Sequence, residues 1–219
     1  MGRITALEPQ VRHANRFNLY IDDEFAFGLS DILAARLRVG LVLSDDEIKK
    51  LEQEELFETA REKALRFLEP RPRSMTEVKQ HLLKKQITAD VADRVVARLS
   101  QAGLLDDAAF AKYWVENREQ FKPRAARALR FELRRKGLST AAISDAIGDV
   151  DESASAYRAG ADRARRWSAL ERREFFEKLT GFLVRRGFAY SVAKQAVVRL
   201  WDEQHAPGSD PDFPDDVED

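Results

Sequence analysis

Three segments of the chain repeat one helix–turn–helix pattern, and this repetition constrains the fold more than any other feature of the sequence. They are residues 82–87, 133–138 and 183–188. Their turn positions, Gln86, Gly137 and Gly187, lie 51 and 50 residues apart. In each segment a leucine lies four residues before the turn residue, and a large apolar residue follows it. Segments repeated at this period indicate a tandem array of small helical units.

Glycine at two of the three turn positions suits a helix that ends in left-handed backbone, with the next apolar residue packed on its last turn. A second helix follows each turn. A third helix is predicted to link successive copies, over residues 108–119 and 152–166. Short helices in tandem bury their apolar stripes only against neighbouring helices. We therefore predict a mainly α fold of tandem three-helix repeats that form an elongated, curved array.

The first 29 residues follow a different period. Large apolar residues recur at every second position, at 17, 19 and 21 and again at 25, 27 and 29. Because Asp22, Asp23 and Glu24 lie between these stretches, the pattern predicts a β-hairpin or a three-stranded sheet. Such a sheet needs a helical partner for its apolar face. Ser30 is placed to cap a short helix that runs to Arg38.

A capping box marks the start of a long helix. Ser44 can accept the N–H of Glu47 while the carboxylate of Glu47 reaches back, and Pro70 ends the helix. Its first half is acidic, and we interpret it as a brace between the sheet and the repeats. The predicted organisation is a strand-rich extension with a short helix (1–43), the bracing helix (44–69), three helix-triplet repeats (70–120, 121–166 and 167–205) and an acidic, disordered tail (206–219).

The net charge of −1 conceals a basic middle between acidic ends. Residues 1–60 hold 7 Lys and Arg against 12 Asp and Glu, and residues 61–207 hold 30 against 20. Residues 208–219 hold 6 acids and no base. This distribution is typical of a module that faces a polyanion or an acidic partner. The alternative, that the bases only solvate the outer faces of helices, fits the charge pattern equally well.

Several kinds of function lack a foothold in this sequence. The chain contains no cysteine, which excludes disulfides, thiolate zinc sites and cysteine nucleophiles. It has no phosphate-binding glycine loop and no nucleophile elbow. No apolar run reaches membrane-spanning length, and the N-terminus lacks a signal-peptide core. We expect a cytoplasmic, monomeric protein that is not an enzyme and uses no cofactor or metal.

Separate motifs along the chain resemble those of the RecX family of recombinase regulators. One stretch of the chain resembles the hallmark motif of that family: Gly103-Leu104-Leu105-Asp106-Asp107-Ala108-Ala109-Phe110-Ala111, followed by Arg118. Three further segments are similar to other motifs of the family: Arg71-Pro72-Arg73-Ser74, residues 132–138 and the strand-rich stretch 18–29. One departure is Phe121-Lys122-Pro123-Arg124, where the family pattern has a glycine before the proline. The resemblance covers about residues 4–203.

The resemblance implies a protein of tandem three-helix repeats that binds the RecA recombinase filament in its helical groove. It also implies inhibition of the filament's DNA-dependent ATPase, strand-exchange and co-protease activities, and so a role in recombinational DNA repair and the SOS response. Neither the partner nor these activities follow from composition or periodicity. From the residues alone, two alternatives stay open: a helical protein that binds nucleic acid directly, with weak non-specific DNA contacts, and a helical scaffold for another partner.

The hallmark segment has a structural interpretation. Asp106 and Asp107 could form a metal or acid–base pair, but no histidine or third acid lies near them in sequence. At a junction between a loop and a helix they more simply cap a helix that begins nearby. Phe110 is predicted to fill the core beneath this turn, and Gly103 and Leu105 complete the structural motif.

The candidate binding surface is centred on the segment Arg118–Lys136, which holds eight bases against two acids. Arg127, Arg130 and Arg134 fall on one face of the predicted helix, away from its apolar stripe. Such a row can bind phosphates or carboxylates bidentately. The full set of predicted partner- or DNA-binding residues is Arg118, Lys122, Arg124, Arg127, Arg130, Arg134, Arg135, Lys136, Arg165, Arg166, Arg172, Arg173, Arg185 and Arg186.

Aromatic side chains offer a second way to bind nucleic acid, by stacking on exposed bases. The candidates are Tyr113, Trp114, Trp167, Phe175, Phe176 and Trp201. At helical spacing they are more simply core residues. Trp167 is the exception, because it follows basic residues in a predicted linker.

Overall fold

In the computed structural model the chain is mainly α-helical, with one small antiparallel sheet near its N-terminus. The structure describes residues 1–11 and 13–205, so the predicted acidic tail lies outside the described residues. Within that range, none of the helices is both long enough and apolar enough to cross a membrane. The chain divides into two compact units, of which the first ends at Asp106 and the second begins at Asp107.

Four strands form the sheet, in the order β3-β2-β1-β4. They are β1 Gly2–Gln10, β2 His13–Ile21, β3 Glu24–Ser30 and β4 Val42–Leu43. Asp22 and Asp23 adopt left-handed backbone between β2 and β3, with φ of 51° and 67°, as a two-residue hairpin turn requires. The predicted strands and turn are therefore confirmed. The fourth strand, β4, is too short to show an alternating pattern in the sequence.

The short helix after the sheet differs from the prediction. Helix α1 spans Asp31–Ala34 and does not reach Arg38. The side chain of Ser30 makes no capping hydrogen bond; instead its backbone N–H donates to the carboxylate of Glu55 at 2.7 Å. Beyond α1 the chain passes through Gly40, whose φ of 92° favours glycine, and then enters β4.

Helix α2, Asp45–Leu68, contributes to two cores at once. It begins at the predicted capping box, in which the backbone N–H of Glu47 donates to the hydroxyl of Ser44 and the backbone N–H of Ser44 donates to the carboxylate of Glu47. Leu51, in its first half, packs in the core beneath the sheet. Ala60 and Ala64, in its second half, lie in the core of the first helix triplet. The helix interpreted as a brace thus contacts both the sheet and the first triplet.

A buried carboxylate fastens α2 to the sheet. Glu55 exposes only 6% of its surface. It accepts hydrogen bonds from the guanidinium of Arg16, the backbone N–H of Ser30 and the hydroxyl of Thr59, each at 2.7 Å. A buried charge is tolerated when it is paired and hydrogen-bonded, and these three donors meet that requirement. From the sequence, Glu55 is only one of several acids in this half of the helix.

Eight further helices pack with α2 as three triplets, each around its own core. They are α3 Met75–Lys84, α4 Ala89–Gln101, α5 Asp107–Phe121, α6 Ala126–Arg135, α7 Thr140–Ile147, α8 Glu152–Arg166, α9 Arg172–Arg185 and α10 Tyr190–Gln204. The triplets are α2 to α4, α5 to α7 and α8 to α10. Phe110 and Val115 of α5, for example, share a core with Leu129 and Ile143. Each observed triplet therefore begins one helix earlier than the predicted repeat.

The same turn closes the helical pair of every triplet. Gln86, Gly137 and Gly187 have φ of 63°, 83° and 100°. The next backbone N–H donates to the carbonyl of a leucine five residues earlier, from Ile87 to Leu82 at 3.2 Å, from Leu138 to Leu133 at 3.3 Å and from Phe188 to Leu183 at 3.2 Å. This bond and the left-handed residue before it define the Schellman helix end. The C-caps predicted at Gly137 and Gly187 are confirmed, and Gln86 adopts the same conformation although it is not a glycine.

We expect Gln86→Gly to stabilise the protein by about 0.5–1 kcal/mol. A residue other than glycine in left-handed backbone costs about 1–2 kcal/mol, and the greater freedom of glycine in the unfolded chain offsets part of the gain. Urea denaturation followed by circular dichroism measures the change. The reverse substitution, Gly137→Ala, should destabilise by about 1 kcal/mol. No gain in the first variant together with no loss in the second would contradict the conformational explanation.

Candidate partner-binding surface

Helix α6 carries a row of three arginines on its outer face. Leu129 and Leu133 are fully buried in the core of the second triplet, and the helical period of about 100° per residue directs positions 127, 130 and 134 away from them. Arg127, Arg130 and Arg134 are all exposed. In the part of the chain that the structure describes, none of them has a carboxylate partner. This row can therefore bind an external anion without first breaking an internal ion pair.

The start of α6 is held by two contacts from the third triplet. The helix begins at Ala126, three residues after the Pro123 predicted for its first turn. Because Ala125 at the N-cap offers no side-chain acceptor, the N–H of Ala126 donates to the carboxylate of Glu152 on α8, at 2.8 Å. The guanidinium of Arg186 donates to the carbonyl of Pro123 at 3.3 Å. These contacts position the helix that carries the arginine row.

Arg186 is engaged inside the protein. Burial, reinforced by the charges of Arg124 and Arg163, lowers the pKa of its guanidinium, and that guanidinium lies 4.8 Å from the ring centre of Phe182. The neighbouring Gly187 is closely packed, since an added Cβ would lie 3.0 Å from the Cβ of Ala128. The predicted role of Arg186 in partner binding would require this packing to open.

A single carboxylate engages two of the predicted arginines. Glu132 accepts hydrogen bonds from the indole N–H of Trp114 at 2.8 Å and from Nε of Arg118 at 2.9 Å, and it pairs with Arg124 at 3.0 Å. The guanidinium of Arg118 and the ammonium of Lys136 lie 4.4 and 4.1 Å from the centre of the indole ring. The side chain of Glu132 is only 15% exposed. This cluster joins α5 to α6 and neutralises charge that the sequence assigns to the binding surface.

The remaining predicted bases differ in how they are engaged. Arg165 and Arg173 each pair with an acid on their own helix, and the guanidinium of Arg172 lies 5.3 Å from the ring centre of Phe176. Four others are exposed and have no carboxylate partner among residues 1–11 and 13–205: Lys122, Arg135, Arg166 and Arg185. The structure thus groups the unpaired arginines most closely on α6, and the binding role of the whole set stays a prediction.

The hallmark segment leads from the first triplet into α5. Leu105 lies in the core of the first triplet and Phe110 in the core of the second. Helix α5 begins at Asp107, so Asp106 occupies the capping position, and the first turn of a helix favours negative charge. Gly103 has a φ of 71°. No three metal-binding side chains converge anywhere in the described residues. These placements fit the structural interpretation.

Most of the candidate aromatic residues pack in the helical cores. They include Trp114, Trp167, Phe175, Phe176 and Trp201, so Trp167 is no exception. Other rings are exposed instead, among them Phe121 by 65% and Phe131 by 62%. Phe131 is absent from the predicted set, although its position two residues after buried Leu129 places it about 200° around the helix. The helical period was therefore the signal that could have identified it.

Comparison with known proteins matches three segments of the chain to family models. Residues 2–44 match the "Regulatory protein RecX N-terminal domain", residues 60–99 "RecX, first three-helix domain" and residues 106–147 "RecX, second three-helix domain". The second range runs from the second half of α2 to α4, and the third covers α5 to α7. These two ranges group the helices as the observed triplets do, and not as the predicted repeats do.

Curated relatives extend the match along the chain. A "Regulatory protein RecX" of Lactobacillus delbrueckii subsp. bulgaricus is 32% identical over 204 residues, which cover 91% of this chain and 74% of that protein. One from Streptomyces coelicolor is 34% identical over 150 residues, 67% and 80% of the two chains. One from Clostridium perfringens is 26% identical over 212 residues, 94% and 99%.

Two solved structures share the fold. A crystal structure of regulatory protein RecX aligns with a TM-score of 0.68 over 90% of this chain and 98% of its own, at 22% identity. A structure of RecX from Lactobacillus salivarius aligns with a TM-score of 0.57 over 67% and 97%, at 20% identity. At these identities the two structures support the arrangement of elements alone.

We expect Glu132→Gln to lower the free energy of unfolding by about 1–3 kcal/mol, because it removes the charge that faces Arg118 and Arg124 in a mostly buried cluster. Urea denaturation measures the loss. Glu116→Gln is the matched control, since Glu116 is an exposed acid on α5 with no ion-pair partner among the described residues; it should change stability by less than about 0.5 kcal/mol. Equal effects of the two substitutions would show that the cluster adds no stability.

Proposed function

The chain belongs to the RecX family of regulatory proteins, and on this premise we propose that it binds the RecA recombinase filament and inhibits it. The inhibited activities are DNA-dependent ATP hydrolysis, strand exchange and the co-protease activity. Through them the protein modulates recombinational DNA repair and the SOS response. It acts by binding and not by catalysis, as a cytoplasmic monomer.

The observation that carries the proposal is the arginine row on α6. Arg127, Arg130 and Arg134 place three exposed, permanently charged guanidinium groups on one helical face. Each can form paired hydrogen bonds with a carboxylate or a phosphate. A filament of protein on DNA presents both kinds of anion, on acidic protein surface and along the nucleic-acid backbone.

The row is supported by a rigid element, which favours binding. Glu152 and Arg186 hold the start of α6, and Leu129 and Leu133 bury its inner face. Because the helix is ordered before the partner arrives, less conformational freedom is lost on binding. Once docked, the protein impedes DNA access, protomer addition or substrate entry. Weak, non-specific contacts with DNA are part of this proposal.

The first test is inhibition by the wild-type protein at a sub-stoichiometric ratio to RecA. We expect it to reduce both the DNA-stimulated ATPase and strand exchange. For the triple variant Arg127→Ala, Arg130→Ala, Arg134→Ala, the protein concentration that gives the same inhibition should rise at least about tenfold, because the variant loses three charged contacts at the interface. Its stability should stay within about 0.5 kcal/mol of wild type at each position, since the three side chains are exposed.

A charge-matched control separates this row from net charge. Arg36→Ala, Lys178→Ala, Arg199→Ala removes three bases that lie outside the predicted binding set and are each paired with an acid, and it should inhibit nearly as well as wild type. Unchanged RecA activity with wild-type protein would refute the proposed function. Full inhibition by the α6 variant would move the binding surface elsewhere. Gel shifts on random duplex, and pull-downs that lack RecA, distinguish the DNA-binding and scaffold alternatives.

A further inference from the structure

A second basic cluster lies in the first triplet, outside the set of residues assigned to RecA binding. Lys63, Arg66, Phe67, His81 and Lys85 line a cleft of about 390 Å³ between α2 and α3. Four of these five side chains carry or can accept a positive charge. A cleft of this volume is large enough for a small ligand.

The positive charge in this cleft is poorly neutralised from within. Lys63 and Lys85 have no ion-pair partner among the residues that the structure describes. Arg66 pairs only with Glu62 on its own helix, at 3.3 Å, and its side chain is 74% exposed. A surface pair of that kind contributes little stability, so Arg66 can turn to another anion at small cost.

The aromatic wall of the cleft holds the histidine in place. The rings of Phe67 and His81 stack with centres 4.0 Å apart and planes 5° apart. The guanidinium of Arg73 lies 4.0 Å from the centre of the same phenyl ring, and its Nε–H donates to the backbone carbonyl of Phe67 at 3.3 Å. Glu77, an acid of this region, pairs with Arg71 at 3.0 Å. His81 therefore sits in a fixed position within a positive field.

That field acts on the protonation of His81. Burial lowers the pKa of the imidazole, and the charges of Lys85, Arg73 and Lys84 lower it further. The protonated ring is thus disfavoured while the cleft is empty of anions. A bound anion would offset part of this positive field and favour protonation. By linkage, anion binding raises the pKa of His81, and binding tightens as the pH falls.

We propose that this cleft binds a phosphate group, either as free phosphate or as part of a nucleic-acid backbone. Lys63, Lys85 and a ring N–H of His81 supply the charge-assisted donors, Arg66 can add a guanidinium, and Phe67 closes one side. The proposal goes beyond the regulation of RecA, because it uses none of the residues assigned to that function.

The test is a proton NMR titration of His81 in the full-length protein. Resonances are assigned with His81→Gln and His205→Gln variants. We expect inorganic phosphate to raise the pKa of His81 by about half a unit or more, a factor of about three in proton affinity, relative to sodium chloride at equal ionic strength. His205 is the internal reference, because it stacks on Trp201 at 3.7 Å in another triplet, and its resonances should not respond to phosphate.

Two variants identify the groups responsible. Lys63→Gln, Lys85→Gln should abolish the phosphate-induced shift, whereas Lys49→Gln, Lys50→Gln removes two exposed charges near the start of α2 and should leave it intact. A short oligothymidylate distinguishes the two sources of phosphate. If it shifts the His81 resonances at a lower concentration of phosphate groups than inorganic phosphate requires, the cleft binds a nucleic-acid backbone. If the two are equally potent, the cleft binds free phosphate. No specific shift with either probe, or the full shift in Lys63→Gln, Lys85→Gln, overturns the proposal.

Discussion

In each triplet, the turn between the last two helices depends on one residue that adopts left-handed backbone. With Gly137 or Gly187 in that conformation, the residue that follows folds back onto the last turn of the helix and enters the same core as the leucine five residues before it. Helices of 8–15 residues are marginal in water by themselves. They persist because this turn returns each one to its neighbour and because a third helix then covers the pair.

Local features of the sequence predicted local features of the fold. The capping box at Ser44, the hairpin turn at Asp22 and the left-handed turns at Gly137 and Gly187 depend on residues close together in sequence, and each was found. The grouping of helices into triplets depends on which apolar faces meet in space. A linking helix is preceded by one helical pair and followed by another, and its own periodicity does not indicate which of the two it packs against.

The candidate surface was predictable to a smaller extent for the same reason. The helical period placed Arg127, Arg130 and Arg134 on one exposed face, as the structure has them. It could not show that Arg118 would be neutralised by Glu132, fourteen positions away in sequence, because that pairing depends on how α5 crosses α6. A count of basic residues therefore overestimates the free charge of a helical surface. Arg118 joins α5 to α6, whereas Arg165 and Arg173 pair with acids on their own helices.

The double role of α2 has a consequence for synthesis of the chain. The sheet and the first half of this helix can assemble as soon as α2 has left the ribosome. Its second half then displays Ala60 and Ala64 until α3 and α4, which supply the rest of this core, have been translated. During that interval the nascent protein is half folded and half exposed, a state prone to misassociation. The order of translation thus determines when the nascent chain is most exposed to misassociation, a stage that the folded structure does not display.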